Sequence, residues 1–246
     1  MYSNLDEITK GFEARAKQAG DQNTWVGILK AKQNEKEDIK LLSKLNQIVG
    51  GMPDAEKTKL CKRFSDIIPH SAQKYDREYN DQFLEALVEI LGWGWLKEKY
   101  LQHTPCFTMG TPDLLVKDNS DQVVAAMECK KIRTSDEDRD YYKNHQGEVK
   151  RVKDSLLSDD RNQNPLFRKL KDTLNTAERQ VNQSNATDKF IFLDLSFDTP
   201  LMFADLKKPV ICLLLKFASE LCERGITLVS FEQYQMDKLI TGSGPP

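Results

Sequence analysis

Two carboxylates and an amine stand at the ends of a short apolar hairpin in the stretch GTPDLLVKDNSDQVVAAMECKK, Gly110 to Lys131. Asp113 precedes the apolar run Leu114 to Val116, and Glu128 and Lys130 follow the run Val123 to Met127. The polar residues Lys117 to Gln122 between the runs read as a turn near Asn119. Successive side chains of a strand face opposite ways, so Glu128 and Lys130 share a face and Cys129 takes the other. Asp113 reaches that face where the paired strands splay, which gathers two acids and an amine at one end of a sheet. Such a grouping suits a hard divalent ion, because Mg2+ takes one or two carboxylates together with waters and substrate phosphate oxygens. Asp113, Glu128 and the backbone carbonyl of Cys129 can act as ligands, and Lys130 can meet an attacking water or the charge developing at phosphorus. The chemistry expected is phosphodiester hydrolysis. The plainer reading makes Glu128 and Lys130 a solvated strand end and Asp113 a turn residue after Pro112.

The helix that precedes this hairpin carries further acids. Asp76 to Leu91 places Phe83, Leu84, Leu87, Val88 and Leu91 on one stripe, with Gly92 at a natural stop. At about 100° per residue, Asp81, Glu85, Glu78 and Glu89 lie progressively further from the stripe's edge. Trp93 and Trp95 follow, with packing as the favoured role and base stacking as the alternative.

Pro112-Asp113 and Glu128-Cys129-Lys130 resemble, residue for residue, the signature of the PD-(D/E)xK nuclease superfamily, and the resemblance spans roughly Tyr75 to Gln233. It implies an α/β fold, a restriction-endonuclease-like core of mixed β-sheet flanked by helices, that cuts DNA or less often RNA with Mg2+. Mn2+ is the expected substitute, and DNA is favoured over RNA as the partner. Superfamily members commonly draw a further metal-site acid, usually Glu, from the helix before the Pro-Asp strand. Glu85 is the residue chosen for that role, with Asp81 next. Ala177-Glu178-Arg179-Gln180 is similar to the Ala-x-x-Gln stretch of the following helix, so Gln180, together with Lys131, is a candidate substrate contact. The alternative carried with this reading is an inactive nucleic-acid-binding or scaffold module of the same fold.

The remaining elements must frame that core. Leu5, Ile8, Phe12 and Ala16 recur at helical spacing, as do Ile39, Leu42, Leu45, Ile48 and Val49. Gly50-Gly51 stops the second helix, and Pro53-Asp54 opens a third with Leu60, Phe64 and Ile67. Residues 1–74 are therefore expected to form a helical extension, its faces solvated or used for a homodimer or protein partner. Residues 75–240 would form the core, and 241–246 a flexible tail. Phe107 to Met109 reads as a short strand. Residues 132–164 are polar and read as an insertion, either a flap over substrate or a solvated helix. Pro165 opens a helix through Val181, and Phe190 to Phe197 and Ile226 to Phe231 read as strands. Pro209 onward favours a buried helix stopped by Gly225, with a strand at Val210 to Leu214 as the alternative.

A chain of 246 residues with 39% hydrophobic residues can bury one sizeable core and an appendage. Its longest apolar run falls short of the roughly 20 residues that cross a bilayer, and no secretory signal is evident, so no membrane association is expected. Five scattered cysteines, an odd number without a CxxC pair, point to reduced thiols and a cytoplasmic location. Three histidines make a His-based metal site improbable. The net charge of −2 lacks the basic excess usual for nucleic-acid binding, which would confine positive charge to a cleft.

Overall fold

A computed structural model describes residues 2–18, 36–67, 77–132, 165–194 and 203–230. The expected insertion at 133–164 and the tail at 241–246 lie outside the described residues. Backbone contacts group the chain into two compact units, Met1–Met109 with Asp113–Gln122, and Gly110–Pro112 with Val123–Pro246.

The first unit is built on helices. α1 (Ser3–Gln18), α2 (Lys36–Gly50) and α3 (Asp54–Asp66) are the helical extension expected, and α4 (Arg77–Lys99) packs with them. The stripe Leu5, Ile8, Phe12 and Ala16 is buried at the contact of α1 with its neighbours. Phe83 of α4 stacks at 4.8 Å from Phe12 and 5.2 Å from Phe64, so one aromatic cluster joins α1, α3 and α4. Asn46 of α2 accepts the backbone N–H groups of Asn4 (3.0 Å) and Leu5 (3.2 Å), two of the orphan donors of a helix start.

α4 does not stop at Gly92. It runs on to Lys99, and every residue from Ala86 to Gly94 is buried. The glycine at 94 serves close approach rather than termination, because a Cβ there would lie 2.6 Å from Ile48 Cδ1 of α2. Trp93 is buried and donates from Nε1 to the carbonyl of Pro105 at 2.7 Å, which fits its expected packing role.

Two short strands complete this unit, β1 (Pro105–Phe107) and β2 (Leu114–Lys117), paired antiparallel with Phe107 opposite Leu114. The strand expected at Phe107 to Met109 thus lies two residues earlier. Trp93 fixes Pro105, and Glu56 of α3 fixes Phe107: Glu56 Oε2 accepts the Phe107 N–H at 2.7 Å. Lys59 Nζ donates both to Glu56 Oε1 (2.8 Å) and to the Phe107 carbonyl (3.0 Å). The turn after β2 closes with Asp118 N–H to Gln122 O at 2.9 Å, and Asp121 takes a positive φ of 63° there.

The second unit is a parallel sheet with helical crossovers. β3 (Val123–Lys131), β4 (Asp188–Asp194) and β5 (Ile226–Ser230) lie in that order, all parallel. α5 (Pro165–Val181) packs on β3 and β4, burying Leu170, Leu174, Ala177 and Val181, and α6 (Phe203–Cys222) packs on β5. Val210 to Leu214 is helical, so the strand alternative is not taken, and Gly225 ends the segment at a φ of +73°. Six helices and five strands of both pairing senses, among the described residues, make the chain α/β with mixed β-structure. α4, β1 and β2 group with α1 to α3.

Candidate active site

On β3 the alternation of side chains does what the spacing requires. Lys130 Nζ donates to Glu128 Oε1 at 2.6 Å across the two-residue repeat. Glu128 is only 1% exposed, although it is charged, while the Lys130 side chain keeps about a quarter of its surface in solvent. Glu128 is in register with Ile191 and Lys130 with Leu193, both buried apolar residues. A carboxylate so buried carries a desolvation cost that its amine partner offsets. The pair lies in the last four residues of β3, at the carboxyl end of three parallel strands, where open α/β sheets bind ligands.

Cys129 is buried on the opposite face, as expected. Lys131 shares that opposite face, is 5% exposed and stands in register with the buried Asp194. The candidate substrate contact at Lys131 therefore lies across the strand from Glu128 and Lys130. Gln180, on α5, has a buried side-chain Oε1 with no hydrogen-bond partner among the described residues. One turn later Gln183 accepts from Thr111 Oγ1 at 2.7 Å, which holds the end of α5 beside the residues leading into Pro112-Asp113. Glu178, in the same Ala-x-x-Gln stretch, pairs with Arg224 at 2.6 Å.

In the first unit Asp113 opens β2, with its carbonyl accepting the Thr108 N–H at 3.0 Å. Its carboxylate Oδ1 lies 3.9 Å from Arg63 Nη2 of α3. The same guanidinium nitrogen donates to Glu89 Oε1 of α4. Glu89 is 2% exposed and Asp113 largely buried, so one cation serves two carboxylates held out of water. Glu85, the helix acid chosen from sequence, lies one turn earlier on α4 and is half-buried. The side chain of Asp81 lies outside the described residues.

The helix acid that the structure places beside Asp113's partner is thus Glu89, which the wheel ranked last. The wheel assumes one apolar stripe and one wet face, whereas α4 is enclosed on all sides over this turn. A signal was present: Glu89 is the sole charged residue between Glu85 and Lys97, and a lone acid in an apolar run must find a partner. Arg63 carried no such signal, since its partner is 26 residues away.

Among the described residues no three His, Cys, Asp or Glu side chains group closely enough to hold a metal by themselves. None of the described helices is long and apolar enough to cross a membrane. Comparison with protein-family models, with curated proteins and with solved structures found no match for this chain.

Proposed function

We propose that this protein is a metal-dependent nuclease of the PD-(D/E)xK type, hydrolysing phosphodiester bonds of DNA in preference to RNA. The reading rests above all on the Glu128–Lys130 pair, buried on one side and open on the other at the carboxyl end of β3. A charge this deeply desolvated costs stability and is a common mark of a functional site.

The donor chemistry fits Mg2+, or Mn2+ in its place. Asp113, Glu89 and Glu128 offer hard carboxylate oxygens, and the point where Asp113 and Glu89 meet Arg63 already accepts positive charge. The motif assigns the metal to Asp113, Glu128 and the Cys129 carbonyl, and Glu89 takes the supporting role first given to Glu85. When bound, the ion supplies Lewis-acid stabilisation of charge on the phosphate. Lys130, anchored by Glu128 and partly exposed, would orient the attacking water in line with the scissile bond and neutralise charge building on the phosphate oxygens. The buried, unpartnered Oε1 of Gln180 would accept a hydrogen bond from substrate or from a bridging water.

A second reading, the same scaffold without catalysis, draws support from one observation: Glu128 and Asp113, two of the expected catalytic carboxylates, each face a cation of the chain itself, Lys130 and Arg63 respectively. The two readings separate on a panel of supercoiled plasmid, linear duplex, single-stranded DNA and RNA, each with Mg2+, Mn2+ or EDTA. Metal-dependent cutting of any member supports the nuclease. Binding without cutting under every condition selects the inert module.

A further inference from the structure

The outward face of α6 departs from what a solvated helix carries. On α5, in the same unit, the exposed residues include Arg168, Lys171, Asp172 and Arg179, the charged face usual opposite a buried stripe. α6 buries Leu214, Phe217 and Leu221, and the exposed positions opposite them are Cys212, Leu215, Ser219 and Cys222. None of the four is charged. Leu215 is 59% exposed, and only Leu101 and Met109 join it as large apolar residues so placed among the described residues. At about 100° per residue the four lie within about 80° of one another, a seam running about 15 Å along the helix. Lys216 and Glu220, paired at 3.6 Å, line one edge of it.

The seam complements itself when reversed. Cys212 and Cys222 stand five residues either side of Phe217, and Leu215 and Ser219 two either side. Two copies crossed antiparallel about that point bring each Cys212 to a Cys222 of the other copy. They also set each Leu215 beside a Ser219, large against small, as a two-fold contact requires. The charged edge reverses too, so each Lys216 meets the Glu220 of the other copy, whereas parallel helices would oppose lysine to lysine and glutamate to glutamate. We infer that this face of α6 is the contact of a homodimer whose helices cross antiparallel in that register. The homodimer expected from sequence fell on residues 1–74, while the face that fits a second copy lies here. A seam three turns long is small against the roughly 800 Å² per partner of a stable interface, so the pairing is weak and rises with concentration.

Diamide cross-linking of the full chain reads both the contact and its register. Two thiols give up two protons and two electrons to diamide, which becomes its hydrazine, and the disulfide forms only where their Cα atoms come within about 7 Å. Wild type is expected to yield a covalent dimer whose tryptic peptides are joined Cys212 to Cys222. Cys212→Ser and Cys222→Ser each lose that dimer alone, and an equal mixture of the two regains it through one bond per dimer. Leu215→Glu places a charge at an exposed position, with folding checked by circular dichroism. It is expected to slow cross-linking at least fivefold and, in sedimentation velocity without oxidant, to stay monomeric at concentrations where wild type shifts towards dimer. Bonds from Cys212 to Cys212 or from Cys222 to Cys222, in place of the mixed bond, overturn the inference. So does a wild type that is monomeric at its highest soluble concentration and cross-links no faster than Leu215→Glu, which leaves the seam to solvent or to another occupant.

Discussion

Glu56 offers the sharpest test of how the first unit is held. Its Oε2 accepts the Phe107 N–H at 2.7 Å and its Oε1 the Lys59 ammonium at 2.8 Å, and both Glu56 and Phe107 are buried. In Glu56→Ala the Phe107 N–H loses its acceptor with little access to water, a loss of about 1–3 kcal/mol for an unsatisfied buried donor. Lys59 is 38% exposed, so its ion pair adds only about 0.5 kcal/mol. The sum is about 1.5–3.5 kcal/mol. At about 2–4 °C per kcal/mol for a chain of this size, the transition should fall by roughly 3–14 °C. Among the described residues Trp93 and Trp95 both belong to the first unit, so intrinsic fluorescence follows its melting. Glu56→Gln keeps an acceptor for Phe107 and should lose less than half as much. Native-state hydrogen exchange at Phe107 should accelerate in Glu56→Ala and change little in Glu56→Gln. A melt within about 1 °C of wild type for Glu56→Ala, or equal damage from both variants, would refute the assigned role of this contact.

Further outcomes follow from other contacts. Lys130→Met strips the partner from the buried Glu128 and should destabilise by about 2 kcal/mol, below the range for a fully buried pair because Lys130 is partly exposed; denaturant unfolding of Lys130→Met/Glu128→Leu should show part of the loss recovered. Gly94→Ala drives a methyl to within 2.6 Å of Ile48 and should cost about 1–3 kcal/mol by the same assay, with Ile48→Ala restoring most of it in the double variant. Burial, and next the nearby carboxylates Glu7 and Glu56 respectively, push the Cys61 and Cys106 thiols up, so the neutral form is favoured in the folded state and this protection fades only as pH rises through the raised values. Timed iodoacetamide labelling read by mass spectrometry at pH 8 should modify the exposed Cys212 and Cys222 first, Cys61 and Cys106 later and the buried Cys129 last, and Glu7→Gln should speed Cys61.

What the sequence disclosed follows the range of the forces involved. The stripe Leu5, Ile8, Phe12 and Ala16 sits at helical period, and each member is buried. The two-residue repeat from Glu128 to Lys130 put both on one face, because strand alternation is a local rule, and there they meet. Gly225 marked the end of α6 by taking a conformation few other residues tolerate. Gly92 misled because a glycine inside a packed helix, like Gly94 against Ile48, looks the same in sequence as a stop. Glu89 was ranked last because a helical wheel knows one neighbour, and α4 has several. Arg63 was invisible, since a pairing between helices 26 residues apart depends on how α3 and α4 pack.

The central claim concerns Asp113 and Lys130. Its most direct measurement is the rate of metal-dependent cleavage by wild type, Asp113→Ala and Lys130→Ala on whichever panel substrate wild type cuts, with folding of each variant matched by circular dichroism. The account predicts that Mg2+-dependent cutting by wild type falls by about 100-fold or more in both variants, the scale of losing a group that stabilises transition-state charge. Cutting that persists at wild-type rate in two folded variants would contradict it and remove these residues from the chemistry.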